Sequence, residues 1–165
     1  MKRVVITGAG TINALGRNVD QTLSAMREGR CGISELEFRD VERLSIRIGG
    51  QVKGYDPEAA FNRQQLALYD RFTQFALLSA REAVAQSGLT FHGDLADCSG
   101  VVLGTSGGGL TTQDDNYRSV YEEGKNRVHP FIVPKLMNNA AASHLLLLDV
   151  ASQESHLLGL RLALF

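Results

Sequence analysis

The sequence predicts an α/β fold in which short buried strands alternate with helices. Two apolar runs each break into glycine: Val4–Ile6 leads into Gly8-Ala9-Gly10, and Val101–Leu103 leads into Gly104. Runs of β-branched residues and leucine bounded by glycine are typical of strands buried on both faces, as in a parallel sheet covered by helices. The stretch from Asp70 to Gln86 supplies a helix, because its apolar residues recur every three or four positions.

The two glycine turns are predicted to lie where α/β proteins place their sites. Glycine directly after a strand permits a sharp turn, either through a positive φ or through close approach of another chain segment or a ligand. The first turn follows a strand and precedes a helix, as a dinucleotide fingerprint does, but Asn13 stands where the third glycine of GxGxxG belongs. We therefore expect no dinucleotide cofactor.

The first helix is predicted to run from Val19 to Glu28. Asn18 with Gln21 three residues later resembles a capping box, and Gly29 can terminate the helix. In the next stretch, 35–53, apolar and polar residues alternate. This alternation predicts a half-exposed strand pair or an extended arm.

Three further helices are predicted from local sequence signals. The helix from Asp70 to Gln86 has Gly88 as its predicted C-cap, and residues 111–123 have helical composition. Proline suits the first turn of a helix, so Pro134 is predicted to start a helix that runs on through His144. His144 is predicted to be a hydrogen-bonded packing residue, because no nucleophile is identifiable near it.

Composition narrows the classes of partner. The chain has 165 residues, one domain's worth, and its 17 basic and 18 acidic side chains give a formal net charge of -1. There is no global basic field to attract nucleic acid or an acidic membrane surface. The longest apolar run, Leu145–Leu148, ends at Asp149 and is far too short to cross a bilayer. We expect a cytoplasmic protein that binds neither nucleic acid nor membrane.

The cysteines and histidines predict neither a metal site nor a disulfide framework. Cys31 and Cys98 lie far apart with no CxxC spacing, and the four histidines show no HxxxH or HExxH spacing. Each cysteine is predicted to be a reduced, small, semi-buried residue. No metal and no other cofactor is expected.

The order of these motifs resembles the N-terminal part of a β-ketoacyl-acyl-carrier-protein synthase, the condensing enzyme of fatty-acid and polyketide synthesis. The resemblance runs from Met1 to about His144. Its motifs are, in order, Val4–Gly10 with Leu15-Gly16, then Gly29–Ile33, then Gly104–Gly109, then Pro130–Pro134, and finally the predicted helix Asn138–His144.

The resemblance implies a thiolase-like fold, in which two similar halves form a layered α/β/α/β/α architecture, usually as a homodimer. This chain would be most of the first half. Family members load an acyl group onto a cysteine at a strand-to-helix turn and use two histidines of the second half to decarboxylate a malonyl carrier protein. The implied partners are an acyl carrier protein and a second copy of the chain.

After His144 the sequence departs from the family pattern. The family continues into a Thr-Ala-Cys nucleophile motif, whereas here Leu162 stands at the position equivalent to the cysteine. We therefore expect residues 1–144 to be a partial synthase domain and 145–165 a divergent leucine-rich tail, with the fold truncated or altered after about residue 144. No catalytic residue is carried over.

Two hypotheses follow from this departure. The chain is either an incompletely represented condensing enzyme that is inactive alone, or a non-catalytic α/β fragment that forms dimers or binds the carrier protein. Because half of a two-lobed fold leaves apolar surface uncovered, we also expect the isolated chain to be oligomeric or poorly soluble.

The resemblance also suggests a substrate-binding wall. Gly107 falls where relatives place a residue bordering the acyl tunnel, and Ile132 falls where the partner subunit contributes to the end of that tunnel. Phe131 and Met137 are predicted to lie near the same wall. The alternative is that all four are simple core residues, as apolar residues beside prolines commonly are.

Overall fold

A computed structural model describes residues 3–147 of the chain. This part is mixed α/β, with helices predominating. Its elements are, in chain order, α1 (Val19–Arg27), β1 (Ile33–Glu35), a 3-10 turn (Val41–Arg43), β2 (Ile48–Gly50), α2 (Arg63–Leu68), α3 (Arg71–Ser87), α4 (Asp94–Asp97), α5 (Leu110–Tyr121), α6 (Ile132–Leu136) and α7 (Ala140–Leu145).

Helix α3 is the central helix of the structure and confirms the helix predicted from Asp70 to Gln86. The Asp70 side chain caps its first turn by accepting from the Phe72 amide at 3.2 Å. Gly88 ends it in the left-handed conformation at φ 65°, where glycine carries no steric penalty. Leu77 in its middle is fully buried, and α3 packs most extensively against α7, whose Ala141 is also fully buried.

The hydrophobic core centres on Phe61, Tyr69 and Leu77. The Phe61 and Tyr69 rings meet edge to face with centroids 5.7 Å apart. Leu145, at the end of α7, packs against this cluster. Burying one such side chain contributes about 2 kcal/mol, so the core joins α3 and α7 to the segment that contains α2.

Helix α1 begins with the cap that the sequence predicts. The Asn18 side chain accepts from the Gln21 amide at 2.8 Å, and the Gln21 side chain accepts from the Arg17 amide at 3.0 Å. The second bond lies one residue before its place in a standard capping box. Gly29, at φ 66°, follows the helix end as expected.

A short strand pair is present, but its first strand lies before the predicted stretch 35–53, which contains only the last residue of β1 and all of β2. Strands β1 and β2 pair antiparallel, with Ile33 opposite Gly50 and Glu35 opposite Ile48. The residues between them form a connecting arm that contains the 3-10 turn. Arg118 of α5 pairs with Asp40 at 3.0 Å and so attaches this arm to the helix.

The prediction that Val4–Ile6 and Val101–Leu103 are strands buried on both faces is wrong for this part of the chain. Neither run belongs to a sheet within residues 3–147. Val4 is 94% exposed and Val102 is fully exposed. A buried parallel strand needs neighbours at both edges and helices on both faces, and the described residues do not supply them.

The prediction of one helix starting at Pro134 is also wrong. The helix begins two residues earlier, at Ile132, and a second helix, α7, begins at Ala140. Met137 separates them because its backbone is extended, with ψ at 135°. Pro134 is tolerated in α6 because amides in the first turn of a helix have no intrahelical acceptor.

Two short helices were not predicted, α2 and α4. Helix α2 carries a full capping box between Asn62 and Gln65, whose pattern is visible in the sequence. The predicted tail, 145–165, lies outside the described residues from position 148 onward. Within residues 3–147 no helix is long and apolar enough to cross a membrane.

Candidate functional site

The first glycine turn lies directly on helix α3. A Cβ at Gly8 would lie 2.0 Å from the Ala83 carbonyl oxygen, and one at Gly10 would lie 1.8 Å from that of Ser79. The turn is fixed there because the Ala9 amide donates to Gln86 Oε1 at 2.6 Å. These glycines therefore serve close packing of backbone on helix, one of the two roles predicted for them.

Glu82 of α3 fixes the rest of the loop that follows this turn. Its carboxylate accepts from the Thr11 amide at 2.9 Å and from the Val19 amide at 2.7 Å. The same side chain thus holds the start of the loop and the first residue of α1. The first glycine turn is in this way a structural junction between α1 and α3.

The second glycine turn, Thr105–Gly109, leads into α5 and packs on α6. The Thr105 hydroxyl donates to the Gly107 carbonyl at 2.7 Å and accepts from the Gly107 amide at 3.3 Å. A Cβ at Gly108 would lie 2.3 Å from the Leu136 carbonyl oxygen, and one at Gly109 would lie 2.5 Å from that of Lys135. Only glycine permits this approach of the turn to the end of α6.

Asp70 holds this second turn in register with α3. The side chain is buried, and its Oδ2 accepts from the Thr112 amide at 2.8 Å and from the Thr112 hydroxyl at 2.5 Å. The other oxygen caps α3. One carboxylate therefore satisfies donors at the starts of both α3 and α5, as buried carboxylates require.

A cavity of about 220 Å³ opens between the start of α3 and the second glycine turn. Its walls include Phe72, Phe75, Gly107 and Leu110. A Cβ built at Gly107 would lie in ordinary van der Waals contact with the Leu110 side chain, at 3.7 Å. Asp70, Arg71 and Thr111 also line the cavity, and its apolar wall of Phe72, Phe75 and Leu110 suits a short stretch of hydrocarbon.

The structure places the four sequence-predicted wall residues in two groups. Gly107 is half-buried and lines the cavity. Phe131, Ile132 and Met137 lie on or beside α6, where Phe131 is 46% exposed and Met137 is 42% exposed. The two groups meet through the backbone, because Gly108 lies against Leu136 and Met137.

Helices α5 and α6 carry an apolar surface that the sequence analysis did not identify as exposed. We call it the α5–α6 face. Tyr121 is 80% exposed, and the Tyr117 and Tyr121 rings lie 6.0 Å apart. Its members are the exposed apolar residues Leu110, Tyr117, Tyr121, Phe131, Val133 and Met137. The sequence signal for this exposed face was the spacing of Leu110, Tyr117 and Tyr121, which places them along one side of α5.

His144 lies in a packing role, as predicted, without the predicted hydrogen bond among the described residues. Its imidazole lies against the Tyr69 ring, with centroids 4.5 Å apart. Burial lowers the pKa of His144 below its usual value. Burial therefore favours the neutral form of this imidazole.

Both cysteines are exposed, which corrects the prediction that they are semi-buried. Cys31 follows the end of α1, and Cys98 ends the four-residue helix α4. Neither position offers a thiolate the amides of a helix N-terminus. Among residues 3–147 no cluster of three or more potential ligands could hold a metal ion.

Comparison with known sequences shows the family. Residues 1–148 match the family model described as the β-ketoacyl synthase N-terminal domain. The chain is 35% identical over 140 residues to 3-oxoacyl-[acyl-carrier-protein] synthase 2 of Staphylococcus aureus, a match that covers 85% of this chain and 34% of that protein. It is 33% identical over 141 residues to the protein of the same name from Synechocystis, covering 86% and 34%. The chain thus spans about a third of the length of these curated relatives.

Solved structures show the fold. An ishigamide ketosynthase/chain length factor gives a TM-score of 0.71 at 22% identity, covering 88% of this chain and 36% of that one. A β-ketoacyl synthase from Burkholderia phymatum gives 0.71 at 24% identity, covering 91% and 37%. A type II polyketide acyl-carrier protein in complex with its ketosynthase gives 0.70 at 20% identity, covering 92% and 39%.

These likenesses confirm the predicted thiolase-like α/β fold for an N-terminal portion of it. To form the predicted buried strands, the two apolar runs need strand neighbours beyond the two-stranded sheet that residues 3–147 contain. The predicted family resemblance is likewise confirmed. The chain belongs to the β-ketoacyl synthase family and corresponds to its N-terminal domain.

Proposed function

We propose that this chain supplies the N-terminal part of a β-ketoacyl-acyl-carrier-protein synthase. Such an enzyme condenses an acyl thioester with a malonyl carrier protein, with loss of carbon dioxide, in fatty-acid or polyketide biosynthesis. Family membership and the names of the relatives support the assignment. The observation that carries it is the second glycine turn, pressed onto α6 beside an apolar cavity.

In this proposal the chain contributes the wall of an acyl-binding pocket. A hydrocarbon tail passes beside Gly107, which lines the cavity without a side chain of its own. Asp70 keeps the turn in place through its bonds to Thr112. Phe131, Ile132 and Met137 complete the wall from α6.

The same proposal includes a homodimer formed through the α5–α6 face. Phe131 and Met137 are too exposed to line a closed pocket within one copy of the described chain. A second copy seated on the α5–α6 face would cover them and place them at a shared wall. Groups of exposed apolar side chains such as these are typical of interaction sites.

We further propose that the partner in the reaction is an acyl carrier protein and that the protein acts in the cytoplasm. The support for the partner is a ketosynthase of similar fold that is complexed with its acyl-carrier protein. The support for the location is that Cys31 and Cys98 are both free thiols, as is usual for proteins of a reducing compartment.

On its own, the 165-residue chain is proposed to form no acyl-enzyme. Its cysteines, Cys31 and Cys98, are exposed and lie away from helix N-termini. A second candidate function follows from the α5–α6 face, whose exposure favours a non-catalytic fragment that forms dimers or binds the carrier protein.

Intact-mass spectrometry tests the absence of a nucleophile. The purified chain is incubated with a long-chain acyl thioester, and we expect no covalent acyl adduct. A stoichiometric adduct mapped to Cys31 or Cys98 would overturn this part of the proposal. Variants Cys31→Ser and Cys98→Ser identify the acceptor if an adduct forms.

A chimera tests the pocket wall. Residues 1–144 replace the matched N-terminal segment of the Staphylococcus aureus synthase, and condensation is measured with acyl donors of increasing length. In an active chimera, Gly107→Leu should reduce kcat/KM for the longest donors about tenfold relative to short ones, because it fills space beside the acyl tail. Gly104→Leu is the matched control, since a Cβ there meets no atom within 4 Å. Equal effects on all donor lengths would contradict the wall role of Gly107.

A further inference from the structure

A second cavity, about 280 Å³ in volume, lies beside the start of α1. We call it the α1–β1 cavity. Residues 13–17 before α1, Gln21 of α1, residues 31–34 at β1 and residues 51–53 after β2 line it. None of these segments contributes to the proposed acyl wall, so the cavity raises a separate question.

The walls of the α1–β1 cavity are cationic. Arg17 and Lys53 line it, and no carboxylate lies among its lining residues, all of which are described by the structure. The nearby acidic group is Glu37, which pairs with Lys53 at 3.0 Å from outside the lining. The cavity therefore retains excess positive charge, which favours an anion.

The cationic groups are held in place before any ligand arrives. Arg17 Nη2 donates to the carbonyls of Lys53 and Gly54. Among the described residues Nε and Nη1 of Arg17 have no protein acceptor, so the planar guanidinium keeps donors for a ligand. Fixing the group in advance reduces the ordering that binding must impose.

The amide side chains of the lining are already used by the protein itself. Asn13 Oδ1 accepts from the Leu15 and Gly16 amides at 2.8 and 3.2 Å. Gln51 bonds both the amide and the carbonyl of Glu37, at 2.7 and 3.2 Å. These bonds shape the cavity and leave Arg17 and Lys53 as the charged residues among its lining.

We propose that the α1–β1 cavity binds a small, multiply charged anion of the phosphate class. Phosphate oxygens match the donors of a guanidinium and accept from an ammonium at the same time. The volume admits inorganic phosphate or pyrophosphate and is below the usual range for larger organic ligands. Because both cations lie near the surface, the site should be weak and sensitive to salt.

Cys31 provides a local reporter for the test, since its thiol lies on the cavity wall and is exposed. Alkylation by the neutral reagent iodoacetamide is followed by peptide mass spectrometry, with pyrophosphate added at constant ionic strength. Cys98, exposed and outside the cavity, is the internal control. At ten times its dissociation constant, pyrophosphate should slow Cys31 alkylation about tenfold while leaving Cys98 unchanged.

Two variants assign the effect to the cavity. Lys53→Gln should weaken the protection of Cys31, and Lys125→Gln should not. Lys125 is the matched control because it too is a lysine paired with a glutamate, Glu123, at 2.6 Å. Ser34→Glu places a carboxylate in the lining and should abolish protection independently of Lys53.

The proposal fails if pyrophosphate leaves the Cys31 rate unchanged. It also fails if Cys31 and Cys98 are slowed equally, which would indicate a general salt effect. Protection that persists unchanged in both Lys53→Gln and Ser34→Glu would contradict it as well. If either variant unfolds, direct titration of the wild-type chain with pyrophosphate by calorimetry decides, since an absence of saturable heat overturns the site.

Discussion

The two glycine-rich motifs of this chain have the same sequence pattern and different surroundings. In the first, Gly8 and Gly10 lie against the backbone of α3 at distances that admit no side chain. In the second, a Cβ at Gly104 would meet no atom within 4 Å, and the close contact begins only at Gly108, against α6. Close contact with a helix therefore falls on Gly8 and Gly10 in the first motif, and only on Gly108 and Gly109 in the second.

The apolar runs that precede the two glycine turns are alike in being exposed. Val4 and Val102 are almost completely exposed. Their apolar character is suited to a sheet, but no strand within residues 3–147 pairs with either run. The glycine turns pack against helices of this chain. The apolar runs, by contrast, need neighbouring strands that residues 3–147 do not provide.

The largest expected effect comes from adding a methyl group at the packed glycine. Gly10→Ala forces a Cβ onto the Ser79 carbonyl and should lower the free energy of unfolding by about 3 kcal/mol, as overpacking does. Urea denaturation followed by circular dichroism measures it. Gly104→Ala is the matched control and should stay within about 0.5 kcal/mol of wild type. Equal losses in the two variants would remove the contrast between the motifs.

The next largest loss of stability is expected from removing the Asp70 carboxylate, which holds the second glycine turn. Asp70→Ala removes the cap of α3 and leaves the buried Thr112 donors without an acceptor, which should cost about 2 kcal/mol of stability. The same denaturation experiment applies. Asp115→Ala, at an exposed position of α5, should have little effect. A loss of similar size at Asp115 would indicate general helix destabilisation instead.

Self-association should depend on which apolar surface is changed. If copies pair through the α5–α6 face, Val133→Glu should weaken association about tenfold, equivalent to about 1.4 kcal/mol. Sedimentation velocity over a concentration series measures this. Val102→Glu, on the bare apolar run, should weaken it less. The opposite ranking would show that the exposed strand edge drives association, and a concentration-independent monomer would contradict the predicted oligomer.

A buried hydroxyl gives a smaller effect of opposite sign. Thr73 Oγ1 on α3 is buried and has no hydrogen-bond partner among the described residues. Thr73→Val keeps the side-chain shape and removes an unsatisfied polar group, so it should raise stability by about 1 kcal/mol. Thr112→Val, which breaks the bond to Asp70, should lower stability and is the control. Destabilisation by Thr73→Val would show that the hydroxyl has an acceptor in solution.

The smallest effect concerns pH. Burial lowers the pKa of His144, so the unfolded chain takes up this proton more readily than the folded chain. Stability should fall as the pH drops through the unfolded value of about 6.5 towards the lower folded value. His144→Gln should flatten this dependence between about pH 7.5 and 5.5. The urea midpoint at each pH is the measurement.

Local signals in the sequence predicted the elements that local chemistry determines. Asn18 and Gly88 mark a helix start and a helix end whose bonds lie within a few residues. The capping box of α2 at Asn62 carried the same kind of signal and was not used. The spacing of apolar residues could not predict the break between α6 and α7. Met137 and the alanines after it follow a helical spacing in the sequence, although the backbone of Met137 is extended.

The features of the candidate site also divide into those that local sequence predicts and those that depend on contacts between distant residues. Close approach at the glycine turns was predicted, because glycine after an apolar run requires a turn or a contact. The bond from Asp70 to Thr112 joins residues 42 positions apart, and no local pattern specifies it. The exposure of Phe131 and Met137 was also unforeseen, since apolar residues beside prolines fit a core equally well.

Hydrogen–deuterium exchange tests most directly whether the glycine turns are packed against helices while the two apolar runs before them are exposed and unpaired. At the lowest workable protein concentration, amides of Val4–Ile6 and Val101–Leu103 should exchange almost at once, whereas amides around Leu77 in α3 should be protected. The Thr11 amide, bonded to Glu82, should be intermediate. Protection of the two apolar runs equal to that of α3 would show that they are paired strands, and would contradict the account.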